Sequence, residues 1–193
     1  MKLIRENLLS LEQYSIERNA FRERVMAHKK NRRLPVGDHL SLYFEDGLTM
    51  QYQIQEILRA EKIFELNDIE QEIEAYNPLI PDGKNLKVTL MVEYKDADER
   101  AVALSNLIGI ERKTWIQVVG FDKVYAIANE DLERETEDKT SAVHFLRYEF
   151  DDAMIASAKE GAAINVGVEH ENYQYELLPI PQNIRDSIQA DFA

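Results

Sequence analysis

Residues 86–94 read Leu-Lys-Val-Thr-Leu-Met-Val-Glu-Tyr, with Leu86, Val88, Leu90 and Val92 at every second position. That period of two puts the four side chains on one face of a β-strand. Upstream, the apolar residues recur at helical spacing instead: Leu11, Tyr14, Phe21 and Val25, then Met50, Ile54, Ile57 and Leu58, then Ile69, Ile73 and Tyr76. The change of period near residue 85 predicts an α+β fold, with N-terminal helices packed with a mostly antiparallel β-sheet. A chain of 193 residues is expected to form a single domain, 1–193, mainly helical over 1–84 and mainly β over 85–193.

Helices are predicted over 11–31, from near Thr49, and from a cap at Asn67 or Asp68. Further helices are predicted over 96–108, after a cap at Asp151 or Asp152 up to Gly161, and over 182–190. Strands are predicted over 38–44, 86–94, 143–150, 163–169 and 173–178, with 114–119 and 123–128 forming a hairpin. Pro35 with Gly37 reads as a break, and Asp46-Gly47 as a turn. Residues 129–140 carry six carboxylates and read as a solvated loop.

Charge and cysteine usage exclude whole classes of function. The chain has 23 basic and 36 acidic residues, a net charge of −13. Such a surface disfavours nucleic acid or an anionic membrane as a general partner. With no cysteine, disulfides, thiolate nucleophiles and cysteine-ligated metal clusters are excluded within this chain, which fits a cytoplasmic protein. No stretch is long and apolar enough to span a bilayer. Residues 1–33 hold nine basic and four acidic side chains, so this arm carries +5 and the other 160 residues carry −18. The arm is expected to pack on the acidic body, and nucleic acid is an unlikely partner because no aromatic or Gly-rich recognition motif accompanies the basic residues.

No nucleophile elbow, phosphate loop, dinucleotide fingerprint or zinc-protease motif is present. The densest polar segment is Gln51–Arg59, where four amide or acid side chains and an arginine share nine residues of a predicted helix. Polar residues at that density face a site, a partner or water. Gln53, Gln55, Glu56 and Arg59 are therefore candidate ligand-binding residues, with arginine suited to a carboxylate or phosphate. Strand alternation over 143–150 puts His144 with Leu146 and Tyr148, and Arg147 with Phe145 and Glu149. His144 is a candidate for proton transfer or ligation, and Arg147 completes the set. A metal held by His39, His144 or His170 with Glu56 is a further arrangement to test. No cofactor is specified by the residues.

Several segments together resemble a known family. They are Lys29-Lys30-Asn31-Arg32-Arg33, Gln53–Glu61, Ala75–Pro81, Thr89–Glu93 and Lys139–Glu149. The family they resemble is an uncharacterised bacterial one of about 190 residues, catalogued as a domain of unknown function. Its members are often encoded near rubrerythrin and iron–sulfur oxidoreductase genes, which implies a redox or oxidative-stress setting. The resemblance carries no catalytic residue. Three expectations result. The first is a non-catalytic accessory protein that binds an oxidoreductase or iron-protein partner, as a homodimer. The second is a metal- or small-molecule-binding enzyme using the Gln53/Gln55/Glu56/Arg59 helix and His144. The third is nucleic-acid binding through Arg18–Arg33.

Overall fold

The computed structural model describes residues 2–136 and 138–193. Helix α1 (Leu11–Lys29) is followed by a hairpin, β1 (Arg33–Val36) and β2 (Leu40–Glu45), then by α2 (Gly47–Glu61) and α3 (Leu66–Tyr76). Strand β3 (Asn85–Val92), α4 (Ala97–Asn106), β4 (Thr114–Val118), β5 (Val124–Tyr125) and β6 (Ile127–Ala128) come next. The chain ends with β7 (Val143–Glu149), α5 (Asp152–Lys159), β8 (Ile164–His170), β9 (Tyr173–Leu177) and α6 (Gln182–Gln189). The fold is α+β.

Two antiparallel sheets, rather than one, organise the molecule. Their orders are β1-β2-β3-β7-β6 and β5-β4-β8-β9. Apolar side chains of both inner faces meet in one core, among them Leu42, Leu90 and Leu146 from the first sheet and Ile116, Val166 and Val168 from the second. Each is buried, and each contributes roughly 1.5–3 kcal/mol. Tyr148 adds a polar tie inside that core, its hydroxyl donating to Thr114 Oγ1 at 2.8 Å.

Three predicted features behave differently. Pro35 lies within β1, because β1 is the sheet edge, where a proline costs no ladder hydrogen bond on its open side. Asp46 and Gly47 do not make a turn. Asp46 caps α2, its carboxylate accepting the Thr49 N–H at 2.9 Å while the Thr49 hydroxyl accepts the Asp46 N–H at 2.9 Å. The predicted hairpin splits, since β4 pairs with β5 but β6 crosses to pair with β7 in the other sheet. Within the acidic segment only a single bridge forms among the described residues, between Glu135 and Thr140, and Glu137 lies outside them.

The helical lobe covers part of the outer face of the five-stranded sheet. Met50, Ile54 and Leu58 of α2 pack on Ile69 and Ile73 of α3, closing over Leu3 and Leu8. Tyr14, Phe21 and Val25 make the buried stripe of α1. The basic arm does pack on the acidic body: Arg18 pairs with Glu56, Arg33 with Glu93, and Arg32 with Asp46 and Asp191. No helix among the described residues is long and apolar enough to cross a membrane.

Gly167 of β8 stands opposite Trp115 of β4, and the indole occupies the place a Cβ would take. Lys123 caps the ring with its ammonium 4.0 Å from the centroid. Gly167→Ala is therefore expected to push the indole aside and cost about 1–3 kcal/mol. The chain has one tryptophan, so denaturant unfolding followed by its fluorescence reads both the loss and a red-shifted native emission.

Candidate functional site

Register decides which side chains share the outer face of the five-stranded sheet. Tyr43 stands opposite Thr89, and Thr89 opposite Phe145. In the next row Glu45 stands opposite Lys87, and Lys87 opposite Arg147. Directly opposed side chains interact, so these rows form a polar strip with Tyr43 and Phe145 at the two ends of the first row. The helical lobe lies over the strip without filling the space beneath it.

The space left is a groove with two chambers that share Leu79 and Phe145. The inner chamber is a cavity of about 330 Å³. Its apolar walls are Met50, Leu79, Met91, Val143 and Phe145, and its polar groups include Lys29, Glu45, Gln53, Tyr76 and Thr89. The outer chamber, about 250 Å³, is lined by Lys87, Arg147, Glu130 and Asp131 beside Pro78 and the shared residues. An apolar container with a few convergent polar groups is the usual form of a small-molecule site.

Glu45 is the unusual residue in the groove. It is 7% exposed. One carboxylate oxygen accepts the Thr89 hydroxyl at 2.8 Å, and the other is buried without a partner among the described residues. A buried carboxylate oxygen without a donor is costly. Lys29 lines the same chamber and forms no ion pair with Glu45, although both are charged side chains. In the outer chamber, Arg147 gives its Nε and Nη2 to Glu130 at 2.9 and 2.8 Å and its Nη1 to Glu149 at 2.5 Å. Burial, with Arg147 beside it, holds the Lys87 ammonium below the usual lysine range.

The six sequence candidates separate. Gln53 reaches the inner chamber and Arg147 the outer one. Gln55 is wholly buried on another side of α2, where Oε1 accepts the Leu9 N–H at 2.6 Å and Nε2 donates to the Leu9 carbonyl at 3.3 Å. It fastens the N-terminal segment. Glu56 takes a bidentate pair from Arg18, at 2.8 and 2.7 Å, and the Tyr14 hydroxyl at 2.5 Å. Arg18 holds that carboxyl below its usual range. Arg59 is exposed. Four residues of one helix turn to three sides because successive positions are about 100° apart.

His144 faces inward, away from the groove. It is fully buried, with Nε2 3.0 Å from both the Ser141 carbonyl and the Thr140 hydroxyl, and Nδ1 3.2 Å from the Asn129 amide. Burial pushes the imidazole below its ordinary value. Beside it is Glu111, wholly buried, 3.9 Å from His144 and 3.6 Å from Arg112, with neither carboxylate oxygen hydrogen-bonded among the described residues. Burial pushes that carboxyl up. Neither His144 nor Glu111 lines either chamber.

The arrangement His39, His144 or His170 with Glu56 does not assemble. His39 stacks on Tyr94 at 3.9 Å, His170 contacts the Ile108 carbonyl, and Glu56 is held by Arg18. No three acidic or histidine side chains among the described residues converge on a metal position. Sequence reasoning missed Glu45, Lys29 and Glu111. Extending the Ser41, Tyr43 alternation by one step past Phe44 would have placed Glu45 on the groove face.

Comparison with known proteins agrees with this fold. No curated protein matches. A crystal structure of a protein from Burkholderia pseudomallei, described as a novel protein of unknown function, is 47% identical, with each chain covered in full and a TM-score of 0.95. The family model described as "Protein of unknown function (DUF3501)" matches residues 2–192, so the chain belongs to the DUF3501 family.

Proposed function

We propose that this chain is a binding protein for a small organic molecule, held in the groove between α2 and the outer face of the five-stranded sheet. The observation that carries the reading is Glu45, which lines the chamber with Met50, Met91, Leu79 and Phe145 and has one buried oxygen without a donor among the described residues. A ligand with an apolar body and one donating group supplies the missing hydrogen bond and covers those side chains. Backbone amide NMR with a set of aromatic fragments, half of them amines, tests it. Amine-bearing fragments are expected to move the amides of Glu45, Thr89, Met91 and Phe145, and Glu45→Gln is expected to weaken them about tenfold or more. Fragments that leave those amides unmoved would overturn the reading.

A second reading is favoured by Phe64 and Leu66, which are 70% and 64% exposed at the turn between α2 and α3. Here the chain is a cytoplasmic accessory protein in a redox or oxidative-stress setting, and this apolar tip meets an oxidoreductase, an iron protein or a second copy of the chain. The family resemblance to proteins encoded near rubrerythrin supports it. Sedimentation of the chain alone and with a purified rubrerythrin checks it, with Phe64→Glu expected to abolish any complex. A chain that stays monomeric and unbound in both runs contradicts it.

A further inference from the structure

The inner chamber presents two opposite charges that do not neutralise each other. Glu45 reaches it from β2 with one oxygen unpartnered, and Lys29 reaches it from the last turn of α1. Both line the same cavity of about 330 Å³, and no ion pair joins them. Glu45 is buried and Lys29 half-buried, so the Glu45 oxygen that lacks a donor gains most from a cationic partner, and the ammonium on the same chamber gives a ligand a second charge to meet. Two separate ions would answer this, but so would one molecule carrying both charges, and the chamber holds apolar wall as well. Met50, Met91, Leu79, Val143 and Phe145 surround the two charged groups with thioether, aliphatic and aromatic surface. Thioethers adapt to varied shapes and pack well on aromatic rings.

We infer that the inner chamber receives a zwitterion, a free α-amino acid with an apolar side chain, its ammonium on Glu45 and its carboxylate on Lys29. This rests on the binding reading above and narrows its ligand class. The Thr89 hydroxyl is already committed to the other Glu45 oxygen at 2.8 Å, so it holds the carboxylate in place for the incoming ammonium. Gln53 and Tyr76 stand at the helical side of the chamber, where the ligand's remaining polar atoms would meet them. The apolar side chain would lie towards Phe145 and Leu79, the two residues that both chambers share.

Three probes on the unmodified protein separate the possibilities: L-phenylalanine, phenethylamine and 3-phenylpropionate. They share the aromatic body, but the second lacks the carboxylate and the third lacks the ammonium. Amide NMR titrations are expected to show saturable shifts at Glu45, Thr89 and Phe145 with L-phenylalanine, and about tenfold or weaker binding of each truncated probe. Lys29→Met is expected to bring L-phenylalanine down to the level of phenethylamine, and Glu45→Gln to that of 3-phenylpropionate. Phenethylamine binding as tightly as L-phenylalanine would overturn the zwitterion while leaving a small-molecule groove in place. Groove amides unmoved by all three probes would overturn both. Because the comparison of probes uses the native chain, it stands even if one variant is unstable.

Discussion

Arg32→Ala is expected to destabilise the fold by about 3–5 kcal/mol. Arg32 is 2% exposed. Its Nε donates to the Phe44 carbonyl at 2.9 Å, its Nη1 to the Ser187 carbonyl at 3.1 Å, and its Nη2 to the Glu45 carbonyl at 3.3 Å and to the Asp191 carboxylate. One guanidinium thus joins the β2 end of the groove to α6. Removing it strands three carbonyls and a carboxylate in the interior. Burial pushes the Asp191 carboxyl up to about 6 even beside Arg32. A group whose folded value lies above its unfolded value of 3.8 contributes most below that unfolded value, and the contribution is lost as pH rises through about 6. The deficit of Arg32→Ala is therefore expected to be smaller at pH 5, where Asp191 can hold a proton, than at pH 8. Urea unfolding at the two pH values measures it, and an equal deficit at both would remove Asp191 from the explanation.

Glu111→Gln should have the opposite sign, raising stability at pH 8 by about 1–3 kcal/mol. Neither oxygen of this fully buried carboxyl has a hydrogen-bond partner among the described residues, and burial pushes the group up from its ordinary value of 4.5. The groups facing it are His144, Arg112 and Glu135. Arg112 is drawn to Glu135 at 2.8 Å and stays 3.6 Å from Glu111. His144, pushed down by burial, is neutral near pH 7 and offers no charge. The folded carboxyl therefore stabilises most when protonated, and its contribution falls as pH rises above the unfolded value. Glutamine does not titrate, so the advantage of the variant is expected to grow from pH 5 to pH 8. A variant less stable than the native chain at pH 8 would show that the charge at Glu111 is needed.

Period and caps made most elements readable. The alternation of Leu86, Val88, Leu90 and Val92 gave β3 to within two residues, and Asp96 and Asp151 accept first-turn N–H groups of α4 and α5 as caps do. What the sequence hid was tertiary. Pro35 argues against a strand until β1 is known to be an edge. Nothing local says that the chain leaves one sheet at Ala126 and enters the other at Ile127, because that step depends on a partner strand some twenty residues later. The site was legible only in part for the same reason. Gln53 and Arg147 are far apart in sequence and meet one groove, whereas Gln55 and Glu56, beside Gln53, serve the N-terminal segment and α1. A lysine in a helix's last turn reads as a favourable end charge, and only the hairpin that follows puts Lys29 and Glu45 on one chamber.

The central claim is that the groove is a receptor, with Glu45 and Lys29 kept apart for a ligand. The most direct test is a crystal structure of this protein soaked with L-phenylalanine near neutral pH. The account predicts density for the amino acid between α2 and the sheet, with its ammonium within hydrogen-bond distance of the free Glu45 oxygen and its carboxylate on Lys29. A Lys29 ammonium bonded directly to Glu45, in a groove that stays closed to the amino acid, would contradict it.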